Sequence, residues 1–545
     1  MIEKTYDYII IGAGSAGCVL AERLSRDGRF DVLLLEAGGC DRKFWIKMPL
    51  GYAKTYTDPA INWCYRAQPD PGLNGRQMFW PRGRVLGGSS SINAMAYVRG
   101  LPHDYDDWSA AGAAGWGWQD VEPGFNALER VELYRPDGTR LKKGRGPVRV
   151  AIPGDRAHPF NRSFFAAARD SGWRVVDDLN GLKCEGMSLY PATMHGGRRW
   201  SCADAFLRPA LRRANLHVVT GADVEKIMLD GRRASAVQYS HSGGSRTAAV
   251  GREVIVSAGA VNSPKLLQLS GIGPPELLRS FGITVRHVLN EVGRGLQDHL
   301  TISYAFASRI PTLNCRLGTT FGRLLAGAQY LFFNRGPLSM PINQCGGFVR
   351  SAQDLSVPDL QIYCNPASYS IPGDGDPRID RKPGYLLSAQ QCRPTSRGAI
   401  QIASPNPHHP PAIQPNSLST NEDCLAAIKA SRLIHRLAQS PALRAVTGMP
   451  STPDIATMDD GELLAYFRAH AHSVYHASCT CRMGDDPGTS VLDARLKVHG
   501  VAGVRVIDAS SFPNVTSGNT NAPTIMLAAR GAEMILQDAA NNYSA

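Results

Sequence analysis

The stretch Tyr6–Gly38, YDYIIIGAGSAGCVLAERLSRDGRFDVLLLEAG, restricts the fold more than any other part of the chain. Tyr8–Ile11 is an apolar run suited to a buried parallel strand, and Gly12, Gly14 and Gly17 follow on GxGxxG spacing. Gly12 permits a tight turn, Gly14 lets a pyrophosphate approach backbone N–H groups, and Gly17 lets the next helix pack on the strand. That helix is expected from Ser15 and Ala16 to about Arg26, with its positive end toward the phosphates. Gly28 stops it, and Val32–Leu35 forms a second buried strand ending in Glu36. A carboxylate there accepts hydrogen bonds from ribose hydroxyls and repels a 2′-phosphate, so the expected cofactor is FAD or NAD rather than NADP. A bare glycine-rich turn is the competing reading, and both strands and the acid argue against it.

With 545 residues, the chain exceeds the size of one ordinary core, so at least two domains are expected. Its net charge of +12 is dispersed and accompanies no nucleic-acid-binding motif, which points to a solvated basic face and no nucleic-acid partner. Twelve cysteines scattered over this length do not form a disulfide framework, and reduced thiols are expected. His476, Cys479 and Cys481 lack a second ligand pair, so no metal site is assigned. No apolar run is long enough to span a membrane, and no signal-type segment precedes the first strand. A cytoplasmic protein is expected, with contact at the inner face of a membrane left open.

Three later passages resemble parts of a dinucleotide site. In PRGRVLGGSSSINAMAYVRG, Pro81–Gly100, Gly87 and Gly88 remove side chains, Ser89–Ser91 supply hydroxyls, and a helix is expected over Ile92–Tyr97. The loop either holds the far end of the cofactor or merely caps that helix. EVIVSAGAVNSPKLLQLSGIG, Glu253–Gly273, reads as a strand, a small-residue turn, and a helix begun at Pro264 under an Asn262 or Ser263 cap. Leu216–Val219 and Ala236–Tyr239 are further strands of the nucleotide sheet. Near the C-terminus, VRVIDASSFPN places Asp508 at a strand end, either to hydrogen-bond the cofactor or to cap a helix start. The helix beyond it offers Ile525, Leu527, Ala528, Ala532 and Ile535 for burial.

Between these passages, Lys142–Gly146 reads as a surface loop and Pro159–Gly172 as a helix. Thr320–Phe333 places Phe321, Leu324, Leu325, Ala328, Leu331 and Phe332 on one helical face. Core packing is the plainer reading of that face; a lid or membrane-facing patch is the alternative. Asp359–Asn365, Gly384–Cys392 and Ala399–Ser404 are expected to form a sheet covering the cofactor ring.

Gly83, Arg84, Leu86, Gly87, Gly88, Ser89, Ser90, Ile92, Asn93 and Tyr97 resemble the first signature of the glucose-methanol-choline (GMC) flavoprotein oxidoreductases. Gly259, Ser263, Pro264, Leu266, Leu267 and Ser270–Gly273 resemble the second, followed by VGRGLQDH at Val292–His299. The resemblance runs end to end and is nearest the choline-dehydrogenase-like and alcohol dehydrogenase branch. It implies an α/β fold with a Rossmann-like FAD-binding domain (1–152, 198–304 and 475–545) interleaved with an α+β substrate-binding domain (153–197 and 305–474) that contains an antiparallel sheet. FAD contacts are then expected at Gly12, Gly14, Ser15, Ala16, Gly17, Glu36 and Ala37, and at Trp63, Gly83, Val85, Gly88 and Ser89. Others are expected at Asn93, Ala94, Met95 and Ala96, and at Val224, Ala258, Tyr475, Asp508, Ala509, Thr520 and Asn521.

Removing hydride from an alcohol carbon requires a base for the hydroxyl proton, and histidine titrates in the right range. The family's active-site histidine corresponds to His476 in HASCTCRMG, and its second active-site position to Asn519 in SGNTNAPT. The resemblance therefore implies His476 as base and Asn519 as orienting donor during hydride transfer to flavin N5, with His470 and His472 as rival bases. Members that attach FAD covalently in this region carry histidine where Ile92 stands, so non-covalent FAD is expected. The expected reaction is oxidation of a primary aliphatic or aryl alcohol, with electrons passed to a quinone or another non-oxygen acceptor. An oxidase returning electrons to oxygen, a flavin-dependent lyase or photodecarboxylase, and a scaffold protein are the alternatives.

Overall fold

The computed structural model describes residues 2–134, 139–181, 185–370, 377–449 and 453–544. A seven-stranded sheet runs in the order Leu216–Thr220, Val32–Glu36, Ile2–Ile11, Gly244–Val256, Arg233–His241, Ala222–Asp230. The seventh strand, Val504–Val506, joins parallel to Gly244–Val256. Leu216–Thr220, Val32–Glu36, Ile2–Ile11 and Gly244–Val256 are mutually parallel, and the other two extend the sheet antiparallel. Val32–Glu36 is buried along its whole length, as a parallel strand covered on both faces must be. The helix Ser15–Leu24 covers this sheet beside the long C-terminal helix Asn521–Ser544. Ile525, Leu527, Ala528, Ala532 and Ile535 of the latter are all buried.

The antiparallel sheet comprises Cys345–Val349, Leu360–Asn365, Gly384–Gln391 and Leu300–Ser308, with Thr447–Met449 and His472–Ser473 both paired to Leu300–Ser308. The expected third strand lies elsewhere: Gly398–Gln401 pairs with Arg294–Leu296 and Ala412–Gln414 in a separate small sheet. Part of the expected Lys142–Gly146 loop is also a strand, since exposed Arg140–Lys143 pairs with Glu129–Tyr134.

Two helix expectations are corrected. The helix expected from Pro264 begins five residues earlier, spanning Gly259–Leu269, because a distant group caps it: Asp508 Oδ2 accepts from the Gly259 N–H (2.9 Å) and from Ser263 Oγ (2.5 Å). Pro264 inside it cannot donate to the Ala260 carbonyl, and Thr480 Oγ1 donates there instead (2.7 Å). Ile92–Tyr97 is not a helix. A short 3₁₀ turn covers Gly88–Ser91, after which Met95 is left-handed (φ 66°). Buried Arg199 holds this segment open, donating to Asn93 Oδ1 (2.7 Å) and to the carbonyls of Asn93 (2.6 Å) and Ser90 (3.2 Å).

Candidate active site

One continuous cavity of ≈ 1920 Å³ runs from the glycine turn to the C-terminal loops. Single-ligand pockets usually measure about 300–1,000 Å³, so this one has room for a dinucleotide and a second molecule. At one end the glycine turn is sterically closed. A Cβ on Gly17 would lie 1.8 Å from the Gly12 carbonyl oxygen, so the helix sits directly on the turn. Gly88, at φ +53°, faces the turn from the second loop, where its Cβ would stand 2.6 Å from Gly14 Cα. The two loops thus present backbone to each other across the cavity wall.

Glu36 lines this end, and its carboxylate already accepts from the Ala13 and Gly38 N–H groups, both at 2.8 Å. Burial raises its pKa to about 7 despite those donors. Its visible role is to clamp the turn. Asp508 also lines the cavity, and its Oδ1 accepts from Ser510 N (2.8 Å), so both its oxygens serve as caps. Ser15 Oγ donates to Asn521 Oδ1 (2.7 Å), tying the glycine turn to the start of the C-terminal helix.

All but two of the expected site residues line the cavity. Asn93, Ala94, Met95 and Ala96 are among them, reaching it from the non-helical segment that Arg199 holds open. Gly17 does not line it, because it is spent on helix packing. Val85 does not either; its side chain is buried in a small cluster with Ile46, Ile61 and Ile92.

At the other end stand His476 and Asn519. His476 follows Tyr475, whose backbone is left-handed (φ 67°) and whose carbonyl accepts from Arg82 Nη1 (2.9 Å). The His476 N–H donates to Asp298 Oδ1 (2.7 Å), while Asp298 Oδ2 accepts from Ser473 Oγ. Gln297 and Ser478 exchange backbone hydrogen bonds (3.2 and 3.1 Å), and Gln297 Oε1 accepts from Val515 N (2.8 Å), on the loop leading to Asn519. The segment 297–299 therefore holds in place the two loops that carry His476 and Asn519.

The hydrogen-bond chain through the two histidines fixes which nitrogen faces the cavity. His299 Nε2 lies 2.9 Å from the Cys392 carbonyl, which can only accept, so Nε2 carries the proton. Burial lowers the His299 pKa to about 4, so its ring is neutral and Nδ1 is an acceptor. His476 Nδ1, 2.9 Å away, must then donate to it, which leaves His476 Nε2 unprotonated, with a lone pair that accepts from the Asn519 amide. Asn519 Nδ2 stands 3.1 Å from that nitrogen. Burial, His299 and Arg82 together hold the His476 pKa well below the usual imidazole value.

His299 was not singled out from sequence. The available signal was VGRGLQDH, a motif to which composition and spacing assign no role. The rival histidines also line the cavity, but neither joins the chain of contacts: His470 stacks on Tyr466 and bonds to its own helix, and His472 is exposed. Among the described residues, no group of three or more His, Cys, Asp or Glu could hold a metal ion.

A Rossmann-like sheet whose glycine turn shares one cavity with a buried histidine and an amide supplies the parts that a dinucleotide-dependent oxidoreductase of alcohols needs. Sequence profiles described as GMC oxidoreductase match residues 6–301 and 394–528. The chain belongs to the GMC oxidoreductase family, whose members are FAD flavoproteins, and it is an FAD-dependent oxidoreductase acting on CH–OH donors. It is 40% identical over 540 residues to the mitochondrial choline dehydrogenase of Homo sapiens (97% of this chain, 89% of that one). It is equally 40% identical over 540 residues to an alcohol dehydrogenase [acceptor] of Pseudomonas putida (98% and 96%). Among solved structures, pyridoxine 4-oxidase from Mesorbium loti superposes with a TM-score of 0.85 at 28% identity (97% and 99%).

Proposed function

We propose that the chain oxidises an uncharged primary alcohol, aliphatic or aryl, to the aldehyde, and passes the electrons to a quinone or other non-oxygen acceptor. The likeness to an alcohol dehydrogenase [acceptor] over 96% of that protein supports the acceptor class. The carrying observation is the unprotonated Nε2 of His476, which faces the cavity and accepts from the Asn519 amide until a substrate hydroxyl displaces it. His476 Nε2 takes the hydroxyl proton, and Asn519 Nδ2–H donates to the same oxygen and orients it. FAD bound in the cavity supplies the hydride acceptor. The cavity suits it. The facing glycine loops leave backbone exposed at one end, and Arg82 lines the other with its Nη2 unpartnered among the described residues, a donor suited to an electron-rich ring edge. We assign segments 1–152, 198–304 and 475–545 to FAD binding, and 153–197 and 305–474 to the substrate side. Apart from Leu300–Ser308, which crosses the boundary at 304, the origins of the strands in the two large sheets support this division.

The alcohol class follows from charge. The described carboxylates lining the cavity are Glu36, Asp223 and Asp508; Glu36 and Asp508 are engaged by backbone donors, Asp223 is met by His408 Nδ1 (3.2 Å), and Arg82 lines the His476 end. A quaternary ammonium would meet tyrosine faces there but no free carboxylate. In an anaerobic flavin-bleaching panel, neutral primary alcohols should exceed choline in kcat/KM by about tenfold or more, the factor a ~1.4 kcal/mol difference represents. Choline equal to the best neutral alcohol would refute the assignment. Peroxide formed in step with turnover in air would replace the acceptor reading with an oxidase.

Two further outcomes are expected. Ile92 lines the cavity and, where covalent members carry the attaching histidine, offers no nucleophile, so acid precipitation should release yellow FAD into the supernatant. A yellow pellet would demonstrate a covalent bond. As a positioning residue, His299 should matter through its acceptor nitrogen. His299→Phe is expected to slow flavin reduction by about tenfold to a hundredfold, the scale typical of partners that orient an active ligand. His299→Gln, which retains an acceptor oxygen, should recover part of that loss; equal losses in both variants would reduce His299 to packing.

A further inference from the structure

The helix Thr320–Phe333 turns its apolar stripe outward. Phe321, Leu324, Leu325, Leu331 and Phe332 are 48–78% exposed, whereas Gly322, Ala326 and Tyr330 are buried. At about 100° per residue, the exposed group spans an arc of about 120° centred opposite the buried one. The expectation of core packing is thereby overturned, since small residues and one tyrosine form the packed side. The patch extends beyond the helix: Phe44 packs edge-on against Tyr330 at 6.0 Å, and Phe44 and Trp45 are 46% and 44% exposed. Soluble surfaces rarely carry contiguous apolar patches above a few hundred Å² without a partner.

The charge around this helix points to the partner. From Thr301 to Gln353 there are five arginines and no aspartate or glutamate. Arg316, Arg323 and Arg335, before, within and just after the helix, are exposed. Arg316 and Arg323 donate to neutral groups, Gln329 Oε1 (2.9 Å) and Thr320 Oγ1 (3.4 Å). Leucine and aromatic side chains on one face, flanked by arginine and free of acid, form the pattern of a helix lying in a membrane interface. Among the described residues no helix is long and apolar enough to cross a membrane, so attachment would be to one surface.

We propose that this face docks on a bilayer containing anionic phospholipid. Phe321, Leu324 and Phe332 enter the boundary between headgroups and acyl chains, and the arginines meet the lipid phosphates. Thr320, Arg323 and Leu331 of the same helix also line the cavity and are exposed, so the cavity reaches the surface beside the docked face. On the alcohol-oxidation reading above, an apolar alcohol or quinone would then pass from lipid to the cavity without crossing bulk water.

The test uses the full FAD-loaded chain, sedimented with phosphatidylcholine vesicles that contain or lack phosphatidylglycerol. The protein should pellet with the anionic vesicles and be released by high salt. F321S/L324S/F332S, which changes only exposed side chains, should bind about tenfold or more weakly while its flavin is reduced normally by a short water-soluble alcohol. Failure to pellet with the anionic vesicles overturns the proposal. So does a concentration-dependent dimer abolished by the triple variant, which would assign the face to a second copy. Slowed reduction by the soluble alcohol with vesicle binding unchanged would instead make the helix an internal lid. If no alcohol bleaches the flavin yet vesicle binding stands, the catalytic reading fails and the docking survives.

Discussion

Replacing His476 with alanine is expected to leave FAD bound and to slow its anaerobic reduction by alcohol by about a hundredfold or more, the usual size of a general-base contribution. His476 is not among the residues that close the glycine turn, so cofactor content should not change. The tautomer imposed through His299 and the Cys392 carbonyl leaves Nε2 as the acceptor, and alanine offers none. A pH signature accompanies this result. The His476 pKa is held below the ordinary imidazole value by burial, His299 and Arg82, so the neutral, proton-accepting form persists as pH falls. The wild-type reduction rate should therefore stay level through about pH 6.5, where an exposed histidine would be half protonated, and decline only in more acid solution. Near-normal reduction in His476→Ala would remove His476 from the mechanism.

Gly88→Ala is expected to give a folded protein that loses FAD. Its methyl group would meet Gly14 Cα at 2.6 Å, on backbone at φ +53°, in the gap between the two glycine loops. Backbone on both sides cannot yield cheaply; a clash of ~2 kcal/mol or more weakens retention by about thirtyfold. Gly39→Ala is the control, with nothing within 4 Å of the added carbon, and should hold FAD as the wild type does. Equal FAD content in the two variants would show that the facing loops do not form the cofactor cradle.

What could be read from the amino acids, and what could not, divides along the range of the interactions. Tyr8–Ile11, Gly12, Gly17 and Val32–Glu36 were legible because strand periodicity and glycine spacing are local signals. The Thr320–Phe333 helix was legible to the residue, yet its face was assigned to the core. Periodicity identifies a stripe and does not say whether anything covers it. Ile92–Tyr97 departs from its helical pattern because Arg199, far along the chain, takes the backbone carbonyls that a helix would need. Glu36 and Asp508 stand at the cavity as expected, but the backbone groups that occupy their oxygens come from turns no spacing rule pairs with them. His299 escaped notice for the same reason, since 177 residues separate it from His476 and only the fold joins them.

The link between Ser15 and Asn521 spans 506 positions, and the strand Val504–Val506 completes a sheet begun at Ile2. During synthesis the glycine turn therefore emerges early, while the residues that close around it are still untranslated. Over the synthesis of those 506 positions, a nascent chain carries the cofactor motif without a finished place to hold the cofactor. Loading must wait until the strand Val504–Val506 and Asn521 have been made and packed, and a chain cut before that strand is expected to hold no FAD.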